Sequence, residues 1–281
     1  MKKKWIMLKY DFENGVESQI GIYLLIMVVV WICCSGNYHY GELLIEYREG
    51  RTMPGVFDLI LYVFQGVPPF HPFTGEGFFE IPIYWMSIVI LMLYTVCRYP
   101  GDDFNKNGMM RILYSGNRSF WIGGKIVWII IQVLIDFLVI YFTCFVFGFI
   151  HGCSFQLSIN QEFWGNAFPG LLYQTNETYV VSIIILPFIS LLAVGFLCMF
   201  VSVVLKPAVS MFAGCMIFVA SSFADSVYLI GNHTMWVRMA NFAEGGLDPT
   251  SCLMFDFAII LLSCYGFSTY IHRKDLLPSD I

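Results

Sequence analysis

The sequence predicts an all-α, polytopic membrane protein with six transmembrane helices, an N-terminal interfacial helix and short re-entrant or interfacial helices in the outer loops. Three observations predict this class: the composition, the spacing of apolar runs and the placement of basic residues. Of 281 residues, 58% are hydrophobic and only 12% are charged, about half the roughly 25% of a soluble domain. The net charge of −5 offers no basic face for phosphates, so we expect lipid and not nucleic acid as the surrounding partner.

The apolar runs define the predicted spans. A transmembrane helix needs about 20 apolar residues, and we predict one transmembrane domain over 1–281 with spans at about 19–35, 81–98, 126–150, 179–205, 207–224 and 252–271. The stretch Val56–Val67 is too short to cross as a helix, so we expect it to be interfacial or re-entrant. Residues 5–17 alternate apolar and charged side chains in a helical pattern, which predicts a helix lying at the membrane surface before the first span.

The basic residues predict the orientation. Of the 15 lysines and arginines, all but Arg48, Arg51 and Arg238 fall at the N-terminus, between spans two and three, between spans four and five, or after span six. Lysine and arginine are enriched on the cytoplasmic side of membrane proteins. We therefore expect a multi-pass membrane protein with both termini in the cytoplasm.

Motifs for catalysis or cofactor binding are absent from the sequence. There is no Gly-x-x-x-x-Gly-Lys-Ser/Thr phosphate loop, no His-Glu-x-x-His and no Gly-x-Ser-x-Gly, so we expect no enzyme activity and no cofactor in this chain. The nine cysteines include no Cys-x-x-Cys pair, and we interpret most of them as apolar helix residues. A bridge between Cys153 and Cys252 is left open.

One acidic residue lies deep in a predicted span. Asp136 falls about ten residues into the third span, where a charge costs roughly 2.5–3.5 kcal/mol on insertion scales. Gln132 precedes it by four positions and shares its helix face. The pair is either a polar stripe that lines a pathway or a subunit interface, or a structural hydrogen bond between helices.

The inner connection 99–125 carries the densest pattern. Pro100 is expected to end the second span, and Asp102 or Asp103 to cap a short helix that ends near Gly116. In that helix an apolar face would lie beside a basic one, as a membrane subunit offers to the groove of a soluble partner. A surface loop that merely carries positive charge is the alternative.

With this layout, the chain resembles membrane subunits of ABC transporters of the type-2 exporter class. The resemblance in architecture covers most of the chain. The sequence similarity is concentrated in the inner connection and is carried by Tyr99-Pro100, Asp103, Gly108, Arg111, Gly116-Asn117-Arg118, Trp121 and Lys125.

The resemblance implies a permease that pairs with itself or a paralogue and docks on a separate ABC ATP-binding subunit, which binds ATP and Mg²⁺. The coupling helix would comprise Asp103, Met109, Arg111, Ile112, Leu113 and Arg118. The cargo would be a peptide or antimicrobial compound. The alternatives are a stand-alone secondary transporter or channel that uses Asp136 as an ion site, or a membrane assembly or sensor protein.

Overall fold

The computed structural model describes residues 2–47, 53–68, 81–115, 117–156, 159–164, 181–243 and 245–274. Within these ranges the chain is helical and contains no β-strand. The helices are α1 Lys2–Gly15, α2 Ile20–Tyr47, α3 Val56–Val63, α4 Ile83–Asp103, α5 Met109–Ser115, α6 Arg118–Ile150, α7 Gln161–Trp164, α8 Leu186–Val204, α9 Pro207–Phe223, α10 Ile230–His233 and α11 Pro249–Arg273.

Five helical segments among the described residues are long and apolar enough to cross a membrane. They are Lys9–Glu46, Ile83–Lys106, Arg118–Ile150, Val181–Val204 and Pro249–Arg273, and each coincides with a predicted span. Residues 179–180 of the fourth predicted span lie outside the described residues. The fifth predicted span is α9, which has 17 residues and covers about 25 Å at roughly 1.5 Å per residue, less than the ~30 Å of a bilayer core. Length and hydropathy therefore give five spans.

Several helix ends are fixed by local sequence signals. The side chain of Asn117 accepts a hydrogen bond from Ser119 N at 2.9 Å and begins α6, so this helix starts eight residues before its predicted span. Asp248 caps α11 in the same way, with Pro249 as the first helical residue. Hydrogen bonds from the side chain and backbone of Ser251 hold the pKa of Asp248 below its usual range.

The helices form a bundle around α8. This helix packs against α4, α6, α9 and α11, and more of it is buried than of the other four candidate spans. By contrast, α2, α6 and α11 each keep an apolar face exposed, with residues such as Leu24, Val28, Leu138, Phe142, Phe257 and Leu261. Such wide apolar faces are typical of helices that contact lipid or another subunit.

Antiparallel packing brings five helix ends to one end of the bundle. These are the ends of α4, α8 and α11 and the beginnings of α6 and α9, as two contacts indicate: a side chain at Gly101 would meet the Ser202 carbonyl and Pro207, and Arg118 bonds the last carbonyls of α11. The lysines Lys106, Lys206 and Lys274 belong to the same ends. We call this end the basic end.

At the opposite end, α3 packs against α2 and α6 and is bonded to the segment 230–242. Six of its eight residues are buried, and Trp236 Nε1 donates to the Leu61 carbonyl at 2.7 Å. Gly66 has a φ of +69° and lies directly against Met235. The carboxylate of Asp58 accepts bonds from Gly55 N and Trp164 Nε1, while burial raises its pKa. An interfacial or re-entrant position for this packed segment stays a prediction.

Arg238 holds this end together. Its guanidinium is fully buried and donates to the carbonyls of Val67, Ser221 and Ser222, and to Asn232 Oδ1. The Ser221 and Ser222 carbonyls belong to the last turn of α9, where no intrahelical donor remains. Burial lowers the pKa of Arg238, an effect opposed by Asp225.

We expect Arg238→Lys to lower the free energy of unfolding by about 2–4 kcal/mol, because one ammonium cannot reach these separated acceptors and leaves buried carbonyls unpaired. Arg273→Lys, at an exposed position, is the matched control. Thermal unfolding in detergent measures both. Equal melting temperatures for the two variants would contradict the proposed clamp.

Candidate functional site

The inner connection is a continuation of helix α4. Pro100 was predicted to end the second span, but α4 continues through it to Asp103 and passes through a π-helical turn at Phe104–Gly108 into α5. Proline removes one helical hydrogen bond, and here the helix continues nonetheless. Asp103 therefore lies in the last turn of α4, where its side chain caps no helix. Gly116 lies outside the described residues.

Four charged side chains meet at the basic end in what we call the ionic cluster: Asp11, Asp103, Arg111 and Lys125. Lys125 Nζ lies 2.7 Å from Asp11 Oδ1 and 2.8 Å from Asp103 Oδ2, and it is fully buried. Arg111 Nη2 lies 2.7 Å from Asp103 Oδ1, and its Nη1 lies 3.8 Å from Asp11 Oδ1. The two carboxylates and the two cationic side chains carry equal and opposite charges, so the cluster is neutral overall.

Aromatic side chains enclose the ionic cluster. Tyr99 donates its hydroxyl to Asp11 Oδ1 at 2.8 Å, and Trp121 Nε1 donates to Asp103 Oδ2 at 3.2 Å. Lys125 Nζ lies 4.1 Å from the centre of the Tyr99 ring, a distance at which the ring face attracts a cation. Five of the ten residues that carry the resemblance, Tyr99, Asp103, Arg111, Trp121 and Lys125, therefore belong to one enclosed structural unit.

The predicted coupling residues separate into three environments. Asp103 and Arg111 belong to the ionic cluster. Arg118 donates to the carbonyls of Ile271, His272 and Lys274 and so binds the end of α11. Within α5, Ile112 is only 2% exposed and Leu113 is 51% exposed. The apolar residues of α5 therefore divide between an inner and an outer face.

The outer face of α5 consists mainly of Met110 and Leu113. Met110 is 72% exposed, whereas Met109 packs partly against the core. Of the four apolar residues expected on the docking face, Met110 and Leu113 are exposed, whereas Met109 and Ile112 pack inward. A coupling role for any of these residues stays a prediction.

Asp136 is bound between helices. Thr95 Oγ1 of α4 lies 2.8 Å from Asp136 Oδ2 and Gln132 Nε2 lies 3.2 Å from Oδ1. Tyr23 of α2 donates to Gln132 Oε1 at 2.9 Å. Both Asp136 and Gln132 are fully buried. These contacts are those of the structural alternative, a hydrogen-bonded junction of α2, α4 and α6.

A second buried junction was missed by sequence reasoning. His233 Nδ1 lies 2.9 Å from Asp256 Oδ1, and Ser190 Oγ donates to Asp256 Oδ2 at 2.6 Å. The three residues are fully buried and join α10, α11 and α8. No local sequence signal pairs residues 23 positions apart.

Metal and thiol chemistry have little support in the described residues. They contain no group of three histidine, cysteine or acidic side chains placed to hold a metal ion. Cys153 and Cys252 are both free, as are the other seven cysteines, so the bridge left open by the sequence is not formed. The chain matches no known protein family, no characterised protein and no solved structure.

Replacing Lys125 tests the ionic cluster. We expect Lys125→Met to cost about 3–5 kcal/mol of stability, because it leaves Asp11 and Asp103 buried with only one cation. The double variant Lys125→Met with Asp11→Asn restores neutrality and should lose less than the sum of the two single changes. Lys9→Met, in an exposed pair with Glu13, should change stability little. Additive losses would contradict the coupling.

Variants of Asp136 distinguish a structural role of this residue from a role in transport. We expect Asp136→Asn to keep stability within about 1 kcal/mol, because an amide still bonds Thr95 and Gln132. Asp136→Leu leaves Gln132 Nε2 without its acceptor and costs about 1–3 kcal/mol, although Thr95 Oγ1 still donates to the Met92 carbonyl. Thermal unfolding in lipid nanodiscs measures the difference. A transport defect in a fully stable Asp136→Asn protein would instead favour a role in the transport pathway.

Proposed function

We propose that this chain is the permease subunit of an ATP-driven ABC exporter of the type-2 class in a bacterial cell membrane. The single observation that carries the proposal is the shape of the inner connection. A short helix, α5, presents Met110 and Leu113 outward while its neighbour Arg111 is tied into the ionic cluster. An exposed apolar edge on a rigid base is what a helix needs to dock in a groove of a soluble partner.

The attachment of α5 supports a coupling role. Asp103 and Tyr99 of α4, Lys125 of α6 and Asp11 of α1 meet in the ionic cluster. A displacement of α5 by a partner would therefore be passed to three other helices as one unit, since breaking a buried ion pair costs several kcal/mol. In the proposed mechanism, ATP-driven closure of the partner ATPases moves α5, and these helices move with it.

The arrangement of helix ends supports six spans with both termini in the cytoplasm. The α9 helix follows α8 after two residues and packs on α4 and α8. With α9 as the fifth of six spans, the basic end would face the cytoplasm and agree with the distribution of lysine and arginine. The short α9 would cross the membrane because Arg238 donates hydrogen bonds to its last carbonyls inside the protein.

Two partners complete the proposed transporter. The chain has no phosphate loop of its own, so a separate ABC ATP-binding subunit would hold ATP and Mg²⁺. The exposed apolar faces of α2, α6 and α11 would contact lipid and a second permease subunit, either a copy of this chain or a paralogue. A peptide or antimicrobial cargo is proposed from the family resemblance alone.

Purification from the native host tests the proposal. We expect a tagged chain to bring down an ABC ATPase and to show vanadate-sensitive ATP hydrolysis in the complex. A chain that runs alone and moves a solute in response to a proton or sodium gradient would contradict the proposal and favour the secondary transporter.

The α5 surface gives the sharper test. We expect Met110→Ser with Leu113→Ser to reduce ATPase binding about tenfold or more, which is roughly 1.4 kcal/mol, without lowering the melting temperature of the permease. Phe12→Ser, at an exposed apolar residue of α1, is the matched control and should bind normally. Ile112→Ala should destabilise the permease instead, because Ile112 is buried. Normal ATPase binding by the double serine variant would remove α5 from the docking surface.

A further inference from the structure

A cleft of about 470 Å³ opens at the basic end between α1, the first turn of α2 and the end of α4. Three of its polar side chains, Tyr10, Asn14 and Ser18, are spaced four residues apart on one side. Residues four apart lie on the same face of a helix. The cleft therefore has one continuous polar wall formed by α1 and the turn after it.

The facing wall of the cleft carries positive charge. Arg98 and Lys106 line it, with Asp102 between them at the same four-residue spacing. Arg98 Nε lies 3.6 Å and Lys106 Nζ 3.9 Å from Asp102 Oδ2, and the two basic side chains are 62% and 72% exposed. Two cations share one acid, so the rim keeps unmatched positive charge. Asp103 also lines the cleft, but Arg111 and Lys125 already neutralise it.

Gln19 adds a buried acceptor to the cleft. Its Nε2 donates to the Thr95 carbonyl at 2.9 Å, while its Oε1 is buried and accepts no hydrogen bond from the described residues. Gln19 is only 8% exposed. A buried oxygen without a donor costs about 1–3 kcal/mol, so the cleft favours an occupant that brings an O–H or N–H group.

The inner part of the cleft is apolar. Gly21 and Ile22 line this part from the first turn of α2. A ligand that fits the whole cleft is therefore amphiphilic, with an anionic part at Arg98 and Lys106, a hydrogen-bond donor near Gln19 and an apolar part along Gly21.

We propose that this cleft binds the headgroup of a membrane phospholipid whose phosphate meets Arg98 and Lys106 and whose hydroxyl or ammonium group donates to Gln19 Oε1. Arginine and lysine are the usual phosphate partners in proteins. An acyl chain leaves the cleft along Gly21 and Ile22 toward the membrane. This inference rests on the membrane insertion proposed above, but it is independent of the ABC ATPase.

Lipid selectivity tests the ligand chemistry. Phosphatidylglycerol carries a phosphate and hydroxyl donors, whereas phosphatidylcholine carries the phosphate but no N–H or O–H donor. Native mass spectrometry of the full-length chain in detergent, with each lipid added in turn, should show about tenfold more bound phosphatidylglycerol, as expected for one satisfied buried hydrogen bond. Equal retention of the two lipids would overturn the role of Gln19.

Two glycine positions provide a matched pair of variants. A Cβ at Gly21 in the cleft or at Gly123 on α6 meets no atom within 4 Å, so a larger side chain starts in open space at either place. We expect Gly21→Leu to abolish phosphatidylglycerol binding and Gly123→Leu to preserve it, with the melting temperatures of the lipid-free proteins unchanged. Retained binding in Gly21→Leu would overturn the proposed site.

A competition experiment distinguishes a bound lipid from a bound soluble phosphate ester. Glycerol 1-phosphate in excess over phosphatidylglycerol should leave the lipid bound, because it lacks the acyl chains that pack along Gly21 and Ile22. Displacement of the lipid would assign the cleft to a soluble phosphate ester and overturn the lipid proposal. None of these measurements uses ATPase activity, so their outcome is distinct from that of the permease proposal.

Discussion

A charge that is buried in an apolar bundle must be paired, and the basic end of this protein is organised around that constraint. Removing one member of a buried ion pair leaves an uncompensated charge and costs about 3–5 kcal/mol. Lys125 is fully buried between Asp11 and Asp103, so the helices that supply these three residues have one favourable arrangement. The position of α5 and the shape of the neighbouring cleft both follow from it.

Similar buried polar contacts fix the rest of the bundle. Arg238 ties the end of α9 to the segment after α3, Asp136 joins α4 and α6, and Asp256 joins α8, α10 and α11. Apolar side chains alone specify little in lipid, since lipid tails are as apolar as leucine. In this protein the polar contacts therefore determine which helix faces which, while the apolar faces of α2 and α11 remain outward.

The sequence predicted the helical class and the approximate positions of five spans, because these depend on runs of neighbouring residues. It missed the long-range pairs. Lys125 was interpreted as one of the charges that set orientation and the N-terminal helix as lying at the membrane surface, yet Lys125 and Asp11 are 114 positions apart and in contact. Gly15 of α1 lies against Trp128 and Tyr99, and Asp11, four residues earlier, lies on the same face. Its partner could not be identified without the tertiary structure.

The end of α4 links the two proposed binding surfaces. Asp102 pairs with Arg98 and Lys106 in the cleft and Asp103 is bound in the ionic cluster, so consecutive residues of one helix turn serve both surfaces. The π-helical turn that follows carries Lys106 to the cleft and leads directly into α5. A lipid that holds Arg98 and Lys106 would therefore restrain the same turn that an ATPase would move through α5. Because the two events act on one short segment, lipid occupancy would change how readily α5 moves, without any contact between the lipid and the ATPase.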